Sequence, residues 1–131
     1  MSERYQRLLS FRVGSRLYGV DESKVATVAN WRQPTPLPHA PPAVLGIVSL
    51  QGRMLTVLDL RRLTGGESTD DATPQHVIAL RGDEQLALAV DTVEGSIESP
   101  RDSNGPQVEV INVSELFPLA IQGRERRQRR F

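Results

Sequence analysis

The strongest constraint on the fold is a pattern that occurs twice: an apolar strand, a glycine-containing turn, and a second strand that ends in aspartate. The first copy, "FRVGSRLYGVD", ends at Asp21, and the second copy, "ALRGDEQLALAVD", ends at Asp91. Short apolar or alternating runs on either side of such a turn are typical of a β-hairpin. The chain therefore carries two hairpins of the same kind.

A second motif also repeats. The segments "VLDLRRL" and "VINVSEL" both have the pattern of a strand followed by a short helix, with Asp59 or Asn112 as the helix N-cap. We interpret these two side chains as caps rather than as acids or bases. Two related units of this kind predict a mostly β fold, in which two small barrels pack together along a shared apolar seam.

The two units differ in length. Five of the nine prolines lie in residues 33–46, which predicts an extended, ordered connection in the first unit. This connection leads into a hairpin whose turn is at Gln51 and Gly52. The second unit is about 17 residues shorter and lacks the connection and most of the hairpin. In it we predict one strand over "LALAVDTV" and a polar connection over residues 98–107 before the last strand.

Length and composition indicate a small single domain. At 131 residues we expect one domain over residues 1–122, followed by a basic, disordered tail over residues 123–131. The absence of cysteine excludes disulfides and thiolate metal sites and is compatible with a reducing compartment. No apolar stretch is long enough for a membrane span, and charges occupy the N-terminus where a signal peptide needs an apolar core. We therefore predict a cytoplasmic protein without membrane insertion.

Residues able to carry out chemistry are few. His39 and His76 are the only histidines, and neither has the spacing or the neighbouring carboxylates of a metal site. Asp70 and Asp71 lie in a polar segment that we interpret as a solvated turn. No phosphate-binding loop, dinucleotide fingerprint or nucleophile elbow occurs in the sequence. We therefore predict a protein that is not an enzyme and uses no metal or cofactor.

The order of the motifs resembles the CheW-like family of chemotaxis coupling proteins, from about Leu8 to Phe117. The most specific segment is "TPLPHAPPAVLGIVSLQGRMLTVLDLRRL", where the spacing from the prolines through Gly46 and Gly52 to Asp59 follows the family pattern. The resemblance implies two five-stranded Src-homology-3-like barrels and a non-enzymatic adaptor. It also implies two partners, because family members bridge chemoreceptor cytoplasmic tips to the regulatory domain of the histidine kinase CheA.

The chain departs from the family at two charged positions. Family members usually carry glutamate where this chain has Thr27 and arginine where it has Gln51. In the family these residues are taken to form an ion pair near the binding surface. Because this chain lacks both residues, neither charge is left there without its partner. The resemblance implies that Thr27 and Gln51 face each other across neighbouring strands. The segment between Ile97 and Val108 is also shorter than in the family, which predicts an incomplete second barrel or an uncovered edge.

The resemblance also supplies the candidate binding residues, and each has a simpler structural interpretation. The candidates are Val25, Thr27, Trp31, Gly46, Gln51 and Gly52. The apolar strand residues that we interpret as core are Val25, Val28, Leu50, Leu55, Val57 and Leu60, of which the family implies that Val25 lines a groove between the barrels. The two glycines are explained by backbone geometry as well as by close approach of a partner. Trp31 is explained by local packing as well as by partner contact.

A rival function rests on the tail. The last eight residues, "RERRQRRF", carry five arginines and one glutamate. Clustered arginines bind phosphates, and small β-barrels host nucleic-acid-binding proteins, so a nucleic-acid-binding module is the alternative. The barrel strands offer few aromatic residues for base stacking, which favours the adaptor.

Overall fold

The computed structural model describes residues 5–64, 74–100 and 108–120, and these residues form two β-sheets with a few short helical segments. The strands are β1 (Tyr5–Val13), β2 (Arg16–Asp21), β3 (Val25–Asn30), β4 (Val44–Leu50), β5 (Arg53–Asp59), β6 (His76–Leu80), β7 (Leu86–Val90), β8 (Thr92–Pro100) and β9 (Glu109–Ile111). The helical segments are 3₁₀ turns at Glu22–Lys24 and Val113–Glu115, helix α1 (Leu60–Thr64) and a helical turn over residues 116–120.

The two sheets follow one plan. The four-stranded sheet has the order β8-β1-β2-β9, and the five-stranded sheet has the order β3-β6-β7-β5-β4. In each sheet a central hairpin is flanked by strands from the other half of the chain. In each sheet, the strand that leads into a capped helical segment pairs in parallel with the second strand of the central hairpin, β9 with β2 and β5 with β7. The repeat predicted from the sequence is therefore present, and its two halves are interleaved.

Most of the predicted elements are confirmed. As predicted, Asp59 and Asn112 act as caps, each accepting a hydrogen bond from the backbone N–H two residues later. Asp21 caps the first 3₁₀ turn in the same way. The prediction of one strand over "LALAVDTV" is wrong, because the chain bends at Asp91 and changes sheets between β7 and β8. The prediction that residues 98–107 are all connection is also wrong for residues 98–100. They extend β8, which pairs along β1 as far as Tyr5 and Pro100.

The two sheets pack against each other along an apolar seam, as predicted. The seam cluster contains fifteen buried residues from both sheets and from the segments that connect or follow the strands, among them Phe11, Tyr18, Leu58, Leu80 and Leu88. A separate interior cluster fills the five-stranded barrel and includes residues such as Val48, Leu55 and Val57. All five residues of β7 are buried because alternate side chains enter the two clusters, which explains an apolar run without alternation.

The proline-rich connection is ordered where it meets β4. Thr35 forms a two-way backbone bridge with Ile47, with N···O distances of 2.8 and 2.9 Å. Pro34 is buried beside it. The chain after β3 therefore pairs with β4 and draws together the two edges of the five-stranded sheet.

The four-stranded sheet has no counterpart of β4 among the described residues. This agrees with the prediction of an incomplete second barrel, although residues 101–107 lie outside the described ranges. The predicted boundary at residue 122, the tail and the Asp70–Asp71 turn also lie outside them. No helix in the described ranges is long and apolar enough to cross a membrane.

Candidate protein-binding surface

Strand β3 forms one edge of the five-stranded sheet and carries two of the candidate residues, both half-buried. A bulge shifts the register between Val25 and Thr27. Val25 lies opposite Leu80 of the seam cluster, whereas Thr27 lies opposite Ala79 of the interior cluster. Opposite residues in an antiparallel pair share a face, so the two candidates are on different faces of the sheet.

Val28 is the exposed large apolar residue of this strand. It lies opposite Ile78 of the seam cluster, so it shares a face with Val25 at the margin of the seam. Its exposed fraction is 40%. The sequence-based assignment of Val28 to the core is therefore wrong. In a regular strand, residues three positions apart lie on opposite faces. Val25 and Val28 share a face only because of the bulge between them.

The turn between β4 and β5 lies at Gln51 and Gly52, as predicted. Both residues have positive φ, 51° and 79°, which is the geometry of a type I′ turn. Leu50 pairs with Arg53 on either side of it. The turn is exposed, and Met54 next to it is 60% exposed. Met54 was not among the residues predicted from the sequence, although its place on the polar side of an alternating strand was a signal for exposure.

Trp31 follows β3 and is half-buried against the interior cluster. Its backbone N–H donates to the Gln75 carbonyl at 2.9 Å. The neighbouring Arg32 donates from Nη1 to the Ser49 carbonyl at 3.0 Å, so its side chain ties the end of β3 to β4. Arg32 was not predicted from the sequence, because a lone arginine in an exposed segment carries no specific signal.

Gly46 is a buried residue of β4 rather than a surface residue. Its φ is 147°, and a Cβ atom there would lie 2.7 Å from the Thr35 carbonyl carbon and 2.9 Å from Pro34 Cβ. Both facts support the interpretation by backbone geometry. Any influence of Gly46 on binding would act through residues 34–35, which lie over it.

Thr27 and Gln51 do not lie on strands that pair by hydrogen bonds. Thr27 lies on β3 and Gln51 directly follows β4, and these two strands are at opposite ends of the sheet order. The link between these edges is made after β3 by Arg32 and by the Thr35–Ile47 bridge. Continuing the register of that bridge places Trp31, rather than Thr27, level with Gln51. An energetic coupling of Thr27 and Gln51 therefore stays a prediction.

Asp91 holds the junction between the two halves. Its Oδ2 accepts a hydrogen bond from the Gly14 backbone N–H at 2.7 Å, and the Arg61 Nη2 lies 3.4 Å from the same atom. The Arg61 and Asp91 side chains are only 15% and 24% exposed. This junction connects the turn of the first hairpin to α1 and to the end of β7, and it has no link to the candidate surface.

The described part of the chain, residues 5–64, 74–100 and 108–120, holds no metal-binding cluster. In these ranges no group of three or more His, Cys, Asp or Glu residues could hold a metal ion. Their buried side-chain nitrogen and oxygen atoms all have hydrogen-bond partners. What this part of the chain offers is a set of exposed apolar residues at an edge strand and a hairpin turn, which is characteristic of a protein-binding module.

Comparison with known proteins identifies the module. The model of the CheW-like domain family matches residues 7–125, and the chain therefore belongs to this family. It is 36% identical over 125 residues to chemotaxis protein CheW of Rhizobium meliloti, covering 91% of this chain and 80% of that protein. It is 24% identical over 116 residues to chemotaxis protein CheW of Thermotoga maritima, covering 88% and 74%.

A solved structure supports the same assignment. The scaffolding protein TtCheW from Thermoanaerobacter tengcongensis matches with a TM-score of 0.66 and 26% sequence identity, covering 75% of this chain and 68% of that one. The protein is thus a non-enzymatic chemotaxis scaffold that couples receptors to CheA. The family, the fold class and the adaptor role inferred from the sequence are confirmed.

Proposed function

We propose that the adaptor contacts its two partners through two separate surfaces of the five-stranded barrel. The β3 surface, formed by Val25 and Val28, binds the cytoplasmic tip of a chemoreceptor. The turn surface, formed by Trp31, Gln51–Gly52 and Met54, binds the regulatory domain of a CheA-type histidine kinase. Both partner segments are cytoplasmic in this family, so we place the adaptor in the cytoplasm.

The β3 surface suits a helical partner. Val25 and Val28 lie on one face at the margin of the seam, and Val28 is exposed while Val25 packs against the seam cluster. An amphipathic helix binds such a margin by placing its apolar side chains between two packed elements. The tip of a chemoreceptor is a helical hairpin, which gives the required shape.

The turn surface suits another β-barrel. Met54 is flexible and exposed, and Trp31 is the type of residue that dominates binding energy at interfaces. A Cβ atom at Gly52 would meet no atom within 4 Å, so the turn has room for close approach by a partner. The regulatory domain of the kinase carries barrels similar to this one, which favours an edge-to-edge contact.

The observation that carries the proposal is the exposure of Val28 and Met54 on separate parts of one barrel. We test it with Val28→Glu and Met54→Glu, measured against a purified receptor cytoplasmic fragment and a purified kinase regulatory domain. Val28→Glu should weaken receptor binding at least about tenfold and leave kinase binding intact, and Met54→Glu should do the reverse.

Leu37→Glu is the matched control, because Leu37 is 43% exposed in the proline-rich connection outside both surfaces. It should change neither affinity. If Val28→Glu and Met54→Glu each leave both affinities unchanged in folded proteins, the two surfaces are wrong.

A further inference from the structure

A cleft of about 430 Å³ lies where the two halves of the molecule meet, beside Asp21. Its walls include the turn between β6 and β7, with Gly82 and Glu84, and the segment that follows β9, with Asn112 and Ser114. None of these residues belongs to either surface proposed above.

This cleft corresponds, in the internal repeat, to the junction that holds Arg61. In both places an aspartate follows the second strand of a hairpin, Asp91 after β7 and Asp21 at the end of β2. In both places the turn of the other hairpin lies beside that aspartate, since Gly14 bonds Asp91 and Gly82 lines the cleft of Asp21. The two environments are therefore built from equivalent parts.

The helix caps that follow β5 and β9 show which residues correspond in the two halves. The Arg61 backbone N–H donates to Asp59 Oδ1 at 3.1 Å, and the Ser114 N–H donates to Asn112 Oδ1 at 3.1 Å. Ser114 thus holds the position in its cap that Arg61 holds in the other. The register also differs. Measured from Asp21 in one pair and from Asp91 in the other, β9 is shifted along β2 by two residues more than β5 is shifted along β7. This shift is a distance of about 7 Å.

The short side chain of Ser114 and this register shift leave Asp21 without the ion pair that Asp91 forms with Arg61. Both hydrogen bonds that Asp21 accepts in the described part of the chain come from Ser23 and reach Oδ1, at 3.0 Å from N and 2.8 Å from Oγ. Its Oδ2 has no such bond there, whereas Asp91 Oδ2 holds both Gly14 and Arg61. In the related half, the Arg61 guanidinium lies beside the equivalent aspartate, Asp91.

We propose that this cleft is a docking site for an arginine side chain of a partner protein. The guanidinium takes the place beside Asp21 that the Arg61 guanidinium takes beside Asp91, and Glu84 provides a second carboxylate. The aliphatic part of the arginine packs over Val110 and Val113 on the same wall. The inference goes beyond the two proposed surfaces and does not depend on them.

The rim of the cleft restricts which arginines fit. Lys24 and Arg81 also line it, are exposed, and form no ion pair with any residue in the described ranges. Two free cations repel a run of basic residues and attract an acidic neighbour. The preferred partner segment is therefore an arginine flanked by aspartate or glutamate.

The test uses N-acetyl-arginine amide as a probe, with N-acetyl-citrulline amide as its uncharged isostere. Both are titrated into the full chain while amide NMR shifts are recorded. The arginine probe should shift the signals of Gly82 and Ser114 in a saturable way, with at least about fivefold higher affinity than citrulline, as expected for one added ion pair. Equal shifts from both probes, or none from either, would overturn the proposal.

Three variants locate the binding. Asp21→Asn keeps the cap acceptor for Ser23 but removes the charge, so it should abolish the preference for arginine over citrulline. Ser114→Arg supplies a guanidinium from within the chain and should block the probe while raising the melting temperature. Glu98→Gln removes a carboxylate paired with Arg7 on the outer face of the four-stranded sheet and should leave probe binding unchanged. An arginine preference that survives Asp21→Asn contradicts the assignment.

One further variant separates a partner from this chain's own arginines. A chain that ends at residue 122 should bind the arginine probe as the full chain does. If only the shortened chain binds it, an arginine of residues 123–131 is the occupant, and the proposal of a partner is wrong.

Discussion

The backbone of Thr35 lies directly over Gly46, so close that a Cβ atom on Gly46 would stand 2.7 Å from the Thr35 carbonyl carbon. Ordinary Cβ atoms do not approach backbone atoms to this distance. The contact holds the proline-rich connection onto β4 and, with the Thr35–Ile47 bridge, draws together the two edges of the five-stranded sheet.

Gly46→Ala should therefore destabilise the protein strongly. The added methyl group collides with backbone atoms of residues 34–35, and the φ of 147° is itself unfavourable for alanine. Together these effects cost about 3–5 kcal/mol in the free energy of unfolding, measured by urea denaturation. Gly52→Ala is the control, because its φ is 79° but no atom lies within 4 Å. It should cost only about 1–2 kcal/mol. Equal losses for the two variants would show that crowding at Gly46 has no effect.

Gln51→Asn should stabilise the protein. Gln51 occupies the first position of a type I′ turn with a φ of 51°, which asparagine adopts more readily than glutamine. We expect a gain of about 0.5–1 kcal/mol in the free energy of unfolding. The same change at Gln33, an exposed residue without positive φ, should leave stability unchanged. A loss of stability in Gln51→Asn would contradict the assigned turn type.

The ion pair of Arg61 and Asp91 should be worth more than the pair of Arg7 and Glu98. The first pair is 15% and 24% exposed and the second is 59% and 65% exposed, so solvent screens the second far more. In the double-mutant cycles each arginine is replaced by Gln, Asp91 by Asn and Glu98 by Gln. The coupling energy should be about 1–2 kcal/mol for the first pair and about 0–0.5 kcal/mol for the second. The reverse order would show that exposure does not determine the strength of these pairs.

If the glutamate and arginine of the family are introduced at positions 27 and 51, the change at Thr27 should have the larger effect on stability. Thr27→Glu places a carboxylate on the interior side of β3, which should cost about 1–3 kcal/mol in stability. Gln51→Arg alone should cost little, because the turn is exposed and its guanidinium stays hydrated. If the new side chains meet, the double variant recovers most of the loss and binds a CheA-type regulatory domain more tightly. Strict additivity in both stability and kinase affinity would mean that the two positions do not interact.

The fold was largely predictable because its signals are local. The two hairpins, the Gln51–Gly52 turn and the caps at Asp59 and Asn112 each depend on a few adjacent residues, and the structure confirms them. The bend at Asp91 was missed because apolar residues lie on both sides of Asp91 and Thr92 in "LALAVDTV". What ends β7 there is the switch of the chain to another sheet, which is a tertiary effect.

The surface proposed for binding was less predictable because it depends on pairing between distant segments. The bulge in β3 moves Val28 onto the face of Val25, and the edge position of β3 leaves Val28 exposed. Neither property can be deduced from a window of sequence. Gly46 shows the opposite error, since family spacing suggested a surface role for a residue that is buried under Thr35.

The interleaving of the two halves has a consequence for synthesis on the ribosome. The first hairpin emerges early, yet both strands that flank it, β8 and β9, come from the far end of the described chain. Until Ile111 has been made, the edges of that hairpin and its share of the seam have no partners, and such exposed edges invite aggregation. Contacts between distant segments also form slowly. Neither half can serve as an independent module, and a message cut short within β8 should yield a chain that chaperones hold or proteases remove.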